Sequence, residues 1–194
     1  MTDQTTPNTP MFSSESAKAR RPKPSMPVGI HSKVSYAGGE RGTNFTDFFF
    51  EDEHGRSRKK RVYDPSPDRV YPYKDKAGLP TETDHEAYVR TCGQRVDTVY
   101  TIVEATAGDV VVEANTYEDY VKKALAVAKD GAFVNLKVTY DWKGEYPDIP
   151  DWGFVEAHTD GNEPTLYFTK KDIVTPKAAP QDDSVVTGGD LYDE

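Results

Sequence analysis

Alternating apolar and polar positions predict strands in the first third of the chain. The alternation has period two over 28–36, a phenylalanine-rich run covers 44–51, and a shorter run covers 60–63. Successive side chains of a strand point to opposite faces, so this pattern is typical of half-buried strands. We expect the glycine-rich stretch 37–42 to be a turn or a loose connection. The third strand should end at 64–67, where two prolines cannot donate to a sheet ladder.

The apolar period changes to three or four residues after the third strand. Thr83 and Glu86 have the spacing of a capping box, and apolar residues recur through 89–103, which predicts an amphipathic helix. The β-branched run 96–103 is also compatible with a strand. A second helix is predicted over 116–129, beginning with a threonine N-cap and two acidic residues.

Strand-like patterns return over 132–140, 152–156 and 164–168. Three strands, helical material and two or three more strands are the order of an OB-fold, a five-stranded Greek-key barrel with a helix between its third and fourth strands. We therefore predict a mainly β fold with helices, an OB-fold-like barrel carrying a helical insertion. The helical insertion is larger than the minimal OB-fold requires, so the sequence does not determine the topology of 84–131. A small α+β domain of another topology is the alternative fold.

Both ends of the chain are poor in apolar residues. Residues 1–27 are rich in Ser, Thr and Pro, and 176–194 are acidic, so neither can bury enough apolar surface to offset the cost of ordering. We predict disordered tails flanking one nucleic-acid-binding domain, 28–175. The C-terminal residues are either a short docking peptide on a glycine tether or an ordinary solubilising terminus: Asp190, Leu191, Tyr192, Asp193 and Glu194.

The overall charge and the single cysteine narrow the class of protein. A net charge of −9 argues against a protein that coats duplex DNA by bulk electrostatics, although a local positive groove remains compatible with it. Cys92 alone forms no internal disulfide. No apolar run approaches the roughly 20 residues of a membrane span, and no secretory signal is recognised. We expect a cytoplasmic protein, in the host cytoplasm if it is viral, with no membrane partner.

The most informative segment is 56–63, where five cations between Arg56 and Arg61 form a basic cluster that is followed by the ring of Tyr63. Cations that follow a phosphate backbone, next to rings on which bases stack, suit sequence-tolerant binding of single strands. A solvated hairpin loop or a targeting signal would also explain the cluster, and core packing would explain each ring. The candidate cations are Arg56, Arg58, Lys59, Lys60, Arg61 and Lys143, and the candidate stacking rings are Phe45, Tyr63, Tyr71, Tyr73, Trp142 and Trp152.

Catalytic constellations are not recognisable in the sequence. The four histidines are scattered, and 37–42 lacks the lysine and hydroxyl residue of a phosphate-binding loop. Asp148 and Asp151, near Glu156, are the carboxylates that most resemble the metal ligands of a nuclease. The simpler interpretation is that the two aspartates shape the turn between Pro147 and Pro150. Cys92 lies on an apolar stripe, as an inert thiol does. We expect a non-catalytic protein without metal or cofactor and keep a nuclease as an alternative.

Short stretches resemble bacteriophage single-stranded-DNA-binding and related replication-accessory proteins. Residues 28–34 are similar to the opening strand of that group, 47–55 to its second strand and turn, and 135–141 with 152–156 to its later strands. The resemblance covers about a third of the chain. It implies an OB-fold core, sequence-tolerant DNA binding and an acidic C-terminal tail that contacts other replication proteins.

The resulting hypothesis is a single-stranded-DNA-binding protein of DNA replication or recombination. Its partners would be single-stranded DNA and, through the tail, replication proteins. Whether it forms a homo-oligomer stays open. A protein-binding adaptor or virion-associated protein is the first alternative, and a metal-dependent nuclease the second.

Overall fold

The computed structural model describes residues 24–176. Three strands are followed by a 3₁₀ turn, two helices and three further strands. In chain order these are β1 (Gly29–Arg41), β2 (Phe45–Glu51), β3 (Ser57–Tyr63), the turn Pro67–Arg69, α1 (Asp84–Ala107), α2 (Tyr117–Val127), β4 (Phe133–Tyr140), β5 (Pro147–Asp148) and β6 (Val155–Ala157). The predicted tail peptide, Asp190 to Glu194, lies outside the described residues.

The strands form an antiparallel sheet with β1 at its centre. The order is β3-β2-β1-β4-β5, and β6 also pairs with β4. The first half of β1 pairs with β4 and its second half pairs with β2. A bulge between His31 and Val34 interrupts the pairing with β4, and another between Tyr36 and Gly39 interrupts the pairing with β2. A bulge bends its strand and increases the local twist, which allows one long strand to serve both neighbours.

The glycine-rich stretch 37–42 is not the turn that the sequence predicts. β1 continues through it to Arg41, and the chain reverses only at 42–44. Gly38 has φ +100° within the bulge, a conformation that side chains with a Cβ rarely adopt. The glycine therefore permits the irregular strand backbone.

The sheet stays open, so the predicted closed barrel is not formed. β5 is two residues long and begins with Pro147, which has no backbone N–H to donate to β3. Side chains of β3 bridge the gap instead: Arg58 donates to the Pro147 carbonyl at 2.7 Å, and Lys60 donates to the Ile149 carbonyl at 2.8 Å. The described residues thus form a mainly β, open six-stranded sheet with two helices.

Both predicted helices are confirmed, and the strand alternative for 96–103 is wrong. Thr83 and Glu86 form the capping box, with the Glu86 carboxylate accepting from the Thr83 N–H at 2.8 Å. Thr116 caps α2 through its hydroxyl. The helices pack their apolar faces against one face of the sheet, and the hydrophobic core lies between them. Its buried residues include Tyr36, Phe48, Phe50, Val99, Ile102, Val103, Val121, Leu136 and Val138.

The last described segment covers β4 on the face opposite the helices. The predicted strand 164–168 is irregular, and the predicted strand 152–156 is reduced to β6 after a turn at Trp152. Lys137 of β4 is 2% exposed and donates to Asp172 at 3.0 Å. A buried lysine needs such a partner, because an unpaired charge in the interior is costly. The pair therefore holds this segment against the sheet.

Neither α1 nor α2, the helices found within 24–176, combines the length and apolar character that crossing a bilayer requires.

Candidate nucleic-acid interface

The pairing of β2 with β3 places three cross-strand pairs on the face opposite the helices. In this register Phe45 lies opposite Tyr63, Asp47 opposite Arg61, and Phe49 opposite Lys59. The alternating positions Thr46, Phe48, Phe50 and Val62 are buried on the helix side. Directly paired residues share a face of the sheet. We call these six residues the outer face: Phe45, Asp47, Phe49, Lys59, Arg61 and Tyr63.

Asp47 binds both cations of the outer face. Its carboxylate accepts from Arg61 Nε and Nη2, both at 2.7 Å, and from Lys59 Nζ at 2.9 Å. The hydrogen bond from Arg61 lowers the pKa of Asp47, Lys59 lowers it further, and burial opposes both. The same bond to Asp47 raises the pKa of Arg61. A phosphate group reaching Lys59 or Arg61 must therefore compete with a carboxylate already in place.

Two rings enclose the Arg61 guanidinium. Its Cζ lies 3.7 Å from the Phe45 centroid and 6.0 Å from that of Tyr63. The two rings meet edge-on, 6.3 Å apart. Behind Phe45 the chain needs Gly42, because a Cβ there would lie 2.5 Å from the ring. Tyr63 is 49% exposed, so its ring offers a flat surface for a base.

The other cations of the basic cluster have structural partners. Arg58 and Lys60 point to the helix side; Arg58 also donates to the Met26 carbonyl at 2.6 Å, and Lys60 pairs with Asp151 at 2.6 Å. Burial lowers the pKa of Arg58. Arg56 pairs with Asp52 in the β2–β3 turn at 2.6 Å. The structure therefore divides the five cations and brings only Lys59 and Arg61 to the outer face.

The two tryptophans lie on either side of β5, Trp142 in the loop before it and Trp152 in the connection to β6. Trp142 is 79% exposed at the start of the loop 141–146, with Lys143 Nζ 5.3 Å from its ring centroid. Asp141 shapes this loop by accepting the N–H groups of Glu145 and Tyr146. Trp152 is 59% exposed and follows Asp151, the partner of Lys60. Pro147 and Ile149 connect the loop region to the edge of β3 through Arg58 and Lys60.

Tyr71 and Tyr73 lie in the segment that leads from β3 to α1. The Tyr73 ring stacks on Arg90, whose Cζ is 3.9 Å from its centroid, whereas the Tyr71 ring is exposed. Arg90 pairs with Glu82 at 2.6 Å and donates to the Tyr71 carbonyl at 3.0 Å. One arginine of α1 thereby contacts this segment at three positions, Tyr71, Tyr73 and Glu82.

Two clefts meet at Tyr63. The first, of about 610 Å³, follows β3. It is lined by the outer-face residues Phe49, Lys59, Arg61 and Tyr63 and also by Ser25, Ser57, Arg58, Lys60 and Asp148. The second, of about 570 Å³, lies between 64–71 and α1 and contains Arg69 and Arg95. Sequence reasoning missed both arginines, because neither stands near the basic cluster. Phe49 also lines the first cleft, and the alternation along 45–50 already indicates it as the alternative to Phe45 for stacking.

A metal-dependent nuclease would need a cluster of metal-ligating side chains. No three His, Cys, Asp or Glu side chains within 24–176 lie close enough to hold a metal ion. Of the carboxylates considered, Asp151 pairs with Lys60 and Glu156 accepts from Asn135 at 2.8 Å. Cys92 is a free, half-buried thiol.

No family model, curated protein or solved structure matches this chain.

Proposed function

We propose that this protein binds single-stranded DNA through the outer face without catalysis, in the service of DNA replication or recombination. The observation that carries the proposal is the outer face itself. It alternates aromatic and basic side chains on the side of the sheet that the helices leave uncovered. Aromatic side chains left exposed beside cations are the combination that binds bases and phosphates together.

The strand order supports an open relative of the OB-fold. A long first strand pairs with both β2 and β4, and the helices stand between β3 and β4. In OB-folds the face of strands 2 and 3, with the loops after strands 1 and 4, binds oligonucleotides. The outer face lies on β2 and β3, and Trp142 lies on the loop after β4, so both candidate regions coincide with those positions.

The chemistry favours an unpaired strand over a duplex. The exposed Tyr63 ring beside the Arg61 guanidinium offers a stacking surface, and only unstacked bases reach it. Two cations partly neutralised by Asp47 provide modest attraction for phosphates, so affinity must come largely from stacking. Each base stacked on an aromatic ring is worth about 1–3 kcal/mol by truncation.

Tyr63→Ala tests the proposal. We expect it to weaken binding to oligo-dT roughly five- to hundredfold, the equivalent of one stacked base, with little loss of stability because the ring is half exposed. Tyr167→Ala is the matched control, since Tyr167 is an exposed ring beside β4. Fluorescence anisotropy with labelled single-stranded DNA, duplex DNA and RNA at two salt concentrations measures the effect. Quenching of tryptophan fluorescence by oligo-dT would add Trp142 or Trp152 to the site.

Four outcomes would count against the proposal. Equal affinity for duplex and single strands would remove the stacking argument. Equal affinity of the Tyr63 and Tyr167 variants would move the site from the outer face. Absence of nucleic-acid binding by the wild type would favour the adaptor alternative, and cleavage of DNA in the presence of Mg²⁺ would favour the nuclease.

A further inference from the structure

The second cleft contains two arginines that no acid neutralises. Across the described part of the chain, neither Arg69 nor Arg95 has a carboxylate within salt-bridge distance. In the basic cluster, by contrast, Arg56 pairs with Asp52 and Arg61 pairs with Asp47. Arg95 is half-buried on α1 and Arg69 is exposed at the end of the 3₁₀ turn. Arginine guanidinium groups bind phosphate with two parallel hydrogen bonds, so this pair is suited to an anionic ligand.

The cleft is held in shape by other contacts. Pro65 and Pro67 end β3 and start the 3₁₀ turn, since proline disrupts a ladder but suits the first position of a helical turn. Arg41 holds Asp64, one of the two acids in the lining, through Nη1 at 2.7 Å and Nη2 at 2.5 Å. The other acid, Asp68, is exposed. Neither arginine is required for these contacts.

Aromatic side chains stand on both sides of the cleft. Tyr71 is 82% exposed, and its backbone is fixed by the bond from Arg90 to its carbonyl. Tyr63 belongs to both clefts and so connects the outer face to the arginines. The second cleft therefore combines two tyrosine rings with two arginines, the same aromatic and basic side-chain chemistry as the outer face.

The opposite end of the outer face has the wrong charge for a phosphate backbone. Beyond Phe49 and Lys59 the surface is lined by Glu51 at the end of β2 and by Asp52 and Glu53 of the β2–β3 turn. Lys33 lies beside them and Arg56 pairs with Asp52, so three acids outnumber two cations at this end. Like charges repel along this direction, whereas the Tyr63 end leads to two cations. Electrostatics therefore favours a bound strand that leaves the outer face at its Tyr63 end.

We propose that a bound single strand leaves the outer face at Tyr63 and enters the second cleft, where Arg69 and Arg95 bind its backbone phosphates and a base stacks on Tyr71. This inference rests on the proposed function and extends its site by a segment of the strand. It also assigns binding roles to three residues outside β3.

A length series of oligo-dT tests the extension with the variant Arg69→Ala/Arg95→Ala. Oligonucleotides of about 4–16 nucleotides cover the site sizes of single OB-folds. We expect the shortest to bind the variant as they bind the wild type, and the longest to bind it roughly tenfold or more weakly. The slope of log affinity against log salt should fall by about 1.4 on the long probes, since each phosphate contact on a single strand contributes about 0.7. Lys74→Ala/Lys76→Ala removes the same charge from the neighbouring loop and should reproduce neither effect.

The outcomes separate this inference from the proposed function. If the wild type binds and Tyr63→Ala weakens it, but the double arginine variant behaves like the lysine control, the proposed function stands and the cleft is not part of the path. An equal loss on probes of every length would also overturn the inference, because it would indicate a general charge effect. Thermal melting confirms folding, and Arg69→Gln/Arg95→Gln replaces the alanine variant if that one unfolds.

Discussion

Asp47 determines how available the cations of the outer face are. It lies between Lys59 and Arg61 and holds both, so the free protein contains an internal competitor for phosphate. This arrangement holds the Arg61 guanidinium over the Phe45 ring while limiting nonspecific attraction to anions. Residue types along β2 and β3 alone would have suggested a much more positive surface than the one that the ion pairs leave.

Asp47→Asn should strengthen binding to oligo-dT by roughly two- to tenfold, because partly exposed ion pairs are each worth about 0.2–1 kcal/mol. The salt dependence should become steeper as Lys59 and Arg61 become free. Anisotropy titrations at several salt concentrations measure both. Glu40→Gln is the control for net charge, since Glu40 lies opposite Asp47 on β1. An equal gain in that control would attribute the effect to charge alone.

The same substitution should lower stability by about 1–2 kcal/mol at neutral pH, since hydrogen bonds to a charged group are lost. The pKa of Asp47 is lowered from 3.8 in the folded state, so its stabilisation is fully present above that value. It is lost as the pH falls through the lower folded-state pKa. Wild type and variant should therefore converge in chemical denaturation at the most acidic pH values and differ above pH 4.

At the scale of elements, α1 contains one weak position. Gly93 lies in the interior of the helix, is exposed, and a Cβ there would meet no atom within 4 Å. Glycine in a helix interior costs about 0.8–1 kcal/mol relative to alanine, through backbone entropy.

Gly93→Ala should raise the free energy of unfolding by about 1 kcal/mol and the melting temperature by roughly 2–4 °C for a chain of this size. Binding to oligo-dT should be unchanged. Calorimetry and anisotropy measure the two quantities, with Gly55→Ala as the contrast: Gly55 has φ +71°, so a side chain there is strained despite the open space. A stabilised Gly55 variant would contradict the conformational argument.

At the scale of the whole molecule, the acidic C-terminal residues are expected to oppose DNA binding. Residues 181–194 contain five acidic and no basic residues. A tethered anionic segment reaches a cationic surface at high effective concentration. Deleting 181–194 should therefore increase affinity for oligo-dT and remove association with replication proteins, as measured by anisotropy and co-purification.

A full-length variant with Asp and Glu of 181–194 changed to Asn and Gln distinguishes charge from length. It should reproduce the gain in affinity. If both the deletion and the neutral variant match the wild type in affinity and in partner association, the segment acts only as a solubiliser.

Local patterns determined the two helices and most strand positions. Capping at Thr83 and Thr116, the change of period and the prolines after β3 all depend on residues within a few positions of one another, so the sequence carries them directly. The same locality explains the errors. Whether 37–42 forms a turn or continues the strand depends on its pairing with β2. Whether the barrel closes depends on backbone pairing between β3 and the two-residue β5.

The candidate site was decided by tertiary contacts. The basic cluster and the exposed aromatics were visible in the sequence, but which cations remain for a ligand depends on Asp47, 14 positions from Arg61, and on Asp151, 91 positions from Lys60. Arg69 and Arg95 carried no local signal, because folding alone brings α1 beside the end of β3. Composition and periodicity describe what each segment does by itself; the partner of each charge is a property of the fold.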